Sequence, residues 1–566
     1  MRLVSLSLFF ALPAFVIGTA VASAATSPDI VASVPSGTGI RDLGRIPATT
    51  RISIAISLPY RHHDELERLV AAQGDSGSPW YHHFLTRSQF DAYFSPEPQT
   101  YAHVLASLKS ASFTIGHAYS NRSLVDATAP SSVVERYFST EIHRVAPSGG
   151  QGVRYQNVRP AIAPPDVRGL IEGVTGLDNV TRFRTANQFA HASGTARARP
   201  YLAVPGQLFG PDYGYGPTAF IDAYKIPTKT AVGKGQASGV VIDADFLDSD
   251  LAAYLQYFGV YRSGPPTVRV PIDGGPPPGL GSPDSVETTL DVETIVSIAP
   301  GTSLYVYEFP DFSNPQYILD TYEQVVIDDF VGTANSSFGG CETQFGQNGG
   351  FAQMSNQIAL QGAALGITFH ASTGDSGNQT FGCPWTSVSS PASDPYFAAI
   401  GGTSLYLNPS SAALEHEYGW GGQGNFGATG GGVSVVFPLP RYQRGVTNII
   451  PRGRNIPDVS FDADPATGES FYYAGAFQGP IGGTSLSSPI FGAAQTITNQ
   501  LRGSEGGFVN PALYSAYRTY GYTHSGLPIF RDISVGNNGF YPAKRGYDRM
   551  TGIGAEIVGN LAGVAR

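Results

Sequence analysis

From residue 206 onward the chain alternates short, almost wholly apolar strands with helical stretches, and this alternation limits the possible folds most sharply. "ASGVVID" (237–243), "TSLYVYEF" (302–309) and "ITFHAST" (367–373) have the continuous apolar character of strands buried on both faces. Between them, "SDLAAYLQYFG" (249–259), "NPQYILDTYEQVVIDD" (314–329) and "GFAQMSNQIALQGAALG" (350–366) have helical spacing. Parallel neighbours need long crossovers, and helices supply them. The pattern predicts an α/β domain over 206–566, a doubly wound parallel sheet with helices on both faces. No internal repeat is visible.

The N-terminal part reads differently. Residues 1–24 carry one arginine, an apolar stretch and then Ala22-Ser23-Ala24, a cleavable export signal. The protein is therefore expected to be secreted. No later stretch is long and apolar enough to span a membrane. Residues 25–182 read as a small α+β domain, with a strand in "ISIAISLPY" (52–60) and helices in "HDELERLVAAQ" (63–73) and "SPEPQTYAHVLASLKSA" (95–111), the last opening at Ser-Pro. Residues 183–205 lack periodicity and read as an exposed linker open to proteolysis. A net charge of −10 without a basic run argues against a nucleic-acid partner. The two cysteines, Cys341 and Cys383, make one disulfide or two buried thiols.

The stretch "IGGTSLSSP" (481–489) sets Ser485 beside a helix N-terminus, where backbone N–H groups suit an oxyanion, although serine also caps helices routinely. A histidine base is missing. After the linker only His370, His416 and His524 remain, none followed by Gly-Thr. The segment "SPDSVETTLDVETIVSIAP" (282–300) offers carboxylates instead, on a helix opening at Ser282-Pro283. Glu287 and Asp291, four apart, share one face, and such a pair, partly buried, holds a proton that one member can transfer. Glu293 points elsewhere. Asp375 lies in the loop after a buried strand, where doubly wound sheets build their sites. A carboxyl kept protonated there can donate to an oxyanion; the plainer reading is a Gly-Asp-Ser-Gly turn. Gly422-Gln-Gly-Asn-Phe-Gly427 fits a dinucleotide fingerprint literally but follows no strand and opens no helix, so it is read as a loop.

Taken in order, Glu287-x-x-x-Asp291, Ser-Thr-Gly-Asp375-Ser-Gly and Gly-Thr-Ser485-x-x-x-Pro resemble the sedolisin family of serine-carboxyl peptidases. "PASDPYFAAIGGTSL", "TGGGVSVVFPLPRYQ" and "IPDVSFDADPATG" fit as well, and "SPWYHHFLTRSQFDAYFSP" is similar to the family's pro-kumamolisin-type activation domain. The resemblance implies a subtilisin-like fold in which Ser485 attacks the scissile carbonyl and Glu287 serves as general base. Asp291 would orient Glu287, and protonated Asp375 would form the oxyanion hole with the Ser485 N–H. It also implies one structural calcium ion at Asp532 and Asp548, with the carbonyls of Ile533 and Gly546; Lys544 stands where the family often has glycine. Asp243 and Phe338 replace a Glu and a Trp that extend the proton network in some members.

The sequence thus predicts a secreted, acid-active, monomeric endopeptidase made as a zymogen, acting on proteins or peptides. Its propeptide would inhibit intramolecularly and be cut in or near the linker on acidification, as carboxylates between the two domains protonate. The alternatives are a tripeptidyl peptidase of the same family, a subtilisin-type hydrolase, and an inactive secreted binding protein.

Overall fold

The computed structural model describes residues 29–35, 40–147, 152–180, 182–189, 208–345, 350–381, 383, 385–421 and 427–564. The export signal, most of the linker and the core of the Gly422–Gly427 loop lie outside the described residues. An eight-stranded sheet organises the larger domain. Its path runs Val268–Pro271, Ser303–Glu308, Ala237–Ile242, Thr333–Ser336, Thr368–Ser372, Ala398–Leu407 and Leu414–Gly419, with Val459–Asp462 also pairing Ala398–Leu407. The last strand in the path is antiparallel and the others are parallel, with Val240 level with both Val306 and Asn335. Pairings toward both sides of Ala237–Ile242 give the doubly wound order that the alternation predicts.

Two helices lie almost completely buried against this sheet, Ser285–Ile298 and Thr484–Arg502. A helix buried all round has no solvated face. Its carboxylates and hydroxyls must therefore meet partners inside the protein. The first of these helices opens at Ser285, with Asp284 at the cap position, later than the Ser282-Pro283 start expected. Ser285 N–H bonds back to the Ser282 carbonyl at 3.2 Å, so Ser282 and Pro283 form a turn before the helix. In the N-terminal domain the third helix likewise opens at Pro98, not at Ser95-Pro96. The Ser95 hydroxyl and carbonyl are taken by Asp91 and Arg61, which hold those residues in the preceding turn.

The N-terminal domain has its own antiparallel sheet, ordered Thr114–Ala118, Leu124–Pro130, Arg51–Ser57 and Gly173–Thr175. Side chains alternate across it. Ile52, Ile54 and Ile56 enter a core with Val104, Leu108 and Phe138. Ala55 and Leu124 join Tyr60, Leu66 and Phe90 in a layer continuous with the larger domain. Across that layer the Tyr60 hydroxyl donates to Gln361 Oε1 at 2.7 Å and the Leu85 N–H to the Ala364 carbonyl at 2.9 Å. No helix among the described residues is long and apolar enough to cross a membrane.

Candidate active site

The parallel strands end with their carboxyl termini at one rim, and Asp243, Ser337 and Asp375 sit just beyond three of those ends. Both buried helices deliver side chains to the same rim. Ser485 is the second residue of its helix, so its N–H belongs to the first turn and has no intrahelical acceptor. It donates to the carbonyl oxygen of Ala186 at 3.2 Å. The Ser485 hydroxyl donates to the Ser337 carbonyl, also at 3.2 Å.

Ala186 belongs to the stretch expected to be an exposed linker, and here the structure differs. Arg184–Thr185 pairs antiparallel with Phe338–Cys341, and Gln188–Phe189 pairs antiparallel with Ile481–Gly482. Phe183 is 3% exposed and Ala186 is 8% exposed. A stretch without periodicity carries no sign of burial when its partners are two strand edges distant in sequence. The Asn187 amide donates to Glu287 Oε2 at 2.7 Å, and the Thr185 hydroxyl to Asp284 Oδ1 at 3.0 Å.

Glu287 and Asp291 are both fully buried. Burial, and then the charge of Asp291, push the Glu287 carboxyl well up, against the opposing influence of the Asn187 amide and the neighbouring Ser485 hydroxyl. Burial does the same to Asp291, opposed by Ser337 and Asn335. Ser337 Oγ donates to Asp291 Oδ1 at 2.7 Å and accepts from Asn335 Nδ2 at 2.8 Å. Two such neighbours titrate as a pair and give up their protons at higher pH than isolated carboxyls do. Glu293, on the same helix, lies in a separate buried group with Glu469.

Asp375 is pushed up to about 7, mainly by burial. Its Oδ1 accepts from the Thr484 N–H at 2.8 Å and from the Thr484 hydroxyl at 2.9 Å. A Cβ placed on Gly483, which has φ +113°, would fall 2.2 Å from the Ala186 oxygen and 2.5 Å from Asp375 Oδ2. Glycine is therefore required where the bound carbonyl and Asp375 converge.

His370 is buried beside Ser488, 3.0 Å from its hydroxyl, and burial lowers the imidazole to about 3. No histidine is bonded to Ser485 among the described residues. Asp243 is held up at about 9 by burial and then by the charge of Asp284. Phe338 packs with Phe183, Phe309 and Phe312. Asn335, Ser337 and Asn187 were not singled out in the sequence. The polar run Asn335-Ser336-Ser337 at the end of a buried strand was the available signal for the first two. Cys341 and Cys383 form a disulfide.

Near the C-terminus Asp532 accepts from the Gly546 N–H at 3.2 Å, and Asp548 Oδ1 accepts from the N–H groups of Met550 and Thr551 at 2.8 Å each. Ile533 is 1% exposed, and among the described residues no hydrogen bond reaches its carbonyl or that of Gly546. Two carboxylates and two open carbonyls are oxygen donors of the kind calcium takes, so the residues fit that ion in donor type, although the Lys544 N–H also holds Asp548 Oδ2 at 2.8 Å. The Lys544 side chain is exposed.

The description "Pro-kumamolisin, activation domain" matches residues 38–180. Kumamolisin from Bacillus sp. (strain MN-32) is 32% identical over 542 residues, covering 91% of this chain and 92% of the relative. Sedolisin from Pseudomonas sp. (strain 101) is 32% identical over 539 residues, covering 91% and 87%. Tripeptidyl-peptidase 1 from Canis lupus familiaris is 28% identical over 521 residues, covering 86% of each. Among solved structures, Pseudomonas sedolisin, a serine-carboxyl proteinase complexed with two molecules of pseudo-iodotyrostatin, aligns with TM-score 0.54 and 29% identity over 62% of this chain and 97% of that one. A chain with this fold, a carboxylate pair beside a helix-borne serine and an activation domain in front belongs to the sedolisin family of serine-carboxyl peptidases.

Proposed function

We propose that this peptidase is a secreted, acid-active endopeptidase and that Ala186–Asn187 is the bond its own zymogen presents for cleavage. The supporting observation is the Ala186 carbonyl on the Ser485 N–H, with chain continuing through the cleft on both sides. Ser485 Oγ adds to the Ala186 carbonyl carbon and passes its proton to Glu287. Asp291, fixed by Ser337, keeps Glu287 in place and shares its proton load. Protonated Asp375 and the Ser485 N–H bind the oxyanion. Glu287 then hands the proton to the Asn187 nitrogen as the C–N bond breaks, and water, deprotonated by the same carboxylate, releases the acyl group. Because these carboxyl groups work only while protons are shared between them, the reaction belongs to acid conditions.

Upstream of the third residue before the bond, Arg184, the chain runs on through Phe183, so a free amine is not required there. That favours an endopeptidase over a tripeptidyl peptidase. Asp532, Ile533, Gly546 and Asp548 would hold one structural calcium ion distant in sequence from the chemistry. The test is an acidification time course of the wild-type proprotein against Ser485→Ala. Wild type should yield fragments ending at Ala186 and beginning at Asn187 and gain activity, while the variant stays intact. Equal shortening of both would refute self-cleavage.

A further inference from the structure

The self-segment shows where residues ahead of the cleaved bond are held. We propose that the cleft selects an aromatic residue four positions, and an arginine three positions, before the cleaved bond. The selecting residues are the rings of Phe312, Phe338 and Phe351 and the face of Phe381. This rests on reading Ala186–Asn187 as the bond presented to Ser485.

The register is fixed by backbone pairing, with Arg184 opposite Gly339 and Thr185 opposite Phe338. Any extended peptide added to that edge repeats the pairing, so side chains fall at fixed positions. Phe183 stands where the fourth residue before the bond would stand. Its ring centroid is 4.8 Å from Phe351, 5.9 Å from Phe338 edge-on and 6.4 Å from Phe312. Phe312 and Phe338 are themselves 5.2 Å apart, so the cage is a packed aromatic cluster with room for a ring.

The next position is polar and open. The Arg184 guanidinium lies 4.0 Å from the Phe381 centroid, and its Nη2 donates to Ser376 Oγ at 3.3 Å. Phe381 keeps 38% of its surface exposed, a large ring left at the cleft wall where a cation can stack on it. The Cys341–Cys383 disulfide ties the strand bearing Phe338 to the loop bearing Phe381. The two recognition elements are thereby held in one frame.

The experiment uses the acid-processed enzyme and internally quenched peptides with the core Phe-Arg-Thr-Ala-Asn-Gln. Replacing the peptide's Phe with Ala should lower kcat/KM roughly ten- to a hundredfold, as expected for losing a buried ring. Replacing its Arg with Glu should lower it by roughly two- to fivefold. In Phe312→Ala enzyme the ratio between the Phe and Ala peptides should shrink. Equal kcat/KM for the Phe and Ala peptides on wild-type enzyme would overturn the inference. Cleavage of none of the peptides between Ala and Asn would instead overturn the assignment of the bond.

Discussion

Changing Glu323 to glutamine tests how the propeptide domain responds to pH. Glu323 is fully buried on the helix Pro315–Asp328, at the seam between the two domains. The Ser123 hydroxyl donates to it and Asn121 lies beside it. Burial raises it from 4.5 to about 7. Asp126 of the propeptide faces Asp320 and Asp273, and the Asp126–Asp320 pair is also held up by burial. The raised carboxyls at this seam oppose the expectation that acid loosens it by protonating paired carboxylates. A carboxyl raised by docking contributes stability that is full below its undocked value and lost as pH rises through its docked one. For Glu323 the window runs from 4.5 to about 7, and the shift corresponds to at most about 3 kcal/mol of docking free energy, reached where undocking returns Glu323 fully to water. In the uncut Ser485→Ala protein, hydrogen exchange of the strand Leu124–Pro130 and the helix Pro315–Asp328, corrected for intrinsic rates, should show protection increasing toward acid. Adding Glu323→Gln should flatten that dependence by up to about 3 kcal/mol across the window. Protection that rises with pH, or an unchanged slope in the variant, would refute the reasoning.

Asp375→Ala should lower kcat roughly 10²- to 10³-fold, as loss of one oxyanion donor does. Asp375→Asn keeps an acceptor for Thr484 and a donor toward the carbonyl, so it should retain more activity and move the alkaline limb, expected near 7 from the raised carboxyl, to higher pH. Chelation of the mature enzyme should lower its Tm, and calcium at a hundred times its Kd should restore about 2.7 kcal/mol. Asp532→Ala should abolish the chelator effect.

The parallel sheet was legible because its strands are buried on both faces and read as unbroken apolar runs. Glu287, Asp291, Asp375 and Ser485 were picked out because polar residues stand out in otherwise apolar or glycine-rich stretches, and the structure brings their side chains together. The support for Asp291 was harder to see, since Ser337 and Asn335 matter only through contacts with a helix more than forty residues upstream. Helix starts at Pro98 and Ser285 were misjudged because a serine before proline satisfies the cap rule in either of two adjacent turns. The strand pairing of Arg184–Thr185 and Gln188–Phe189 was beyond sequence reading. Its partners are strand edges more than 150 residues away, and nothing local distinguishes a strand awaiting a partner from a linker.

The Gln188–Phe189 pairing with Ile481–Gly482 has a kinetic consequence. After the proposed cut, the piece ending at Ala186 can diffuse off with the propeptide. The piece beginning at Asn187 remains covalently attached to the catalytic domain and cannot be diluted away. Tethering gives it an effective concentration of roughly millimolar order, independent of how dilute the enzyme is. It would occupy the leaving-group side of the cleft and compete with every incoming substrate. The first cut should therefore produce a partly self-blocked peptidase, with full activity reached when the tail is shortened by a second cleavage.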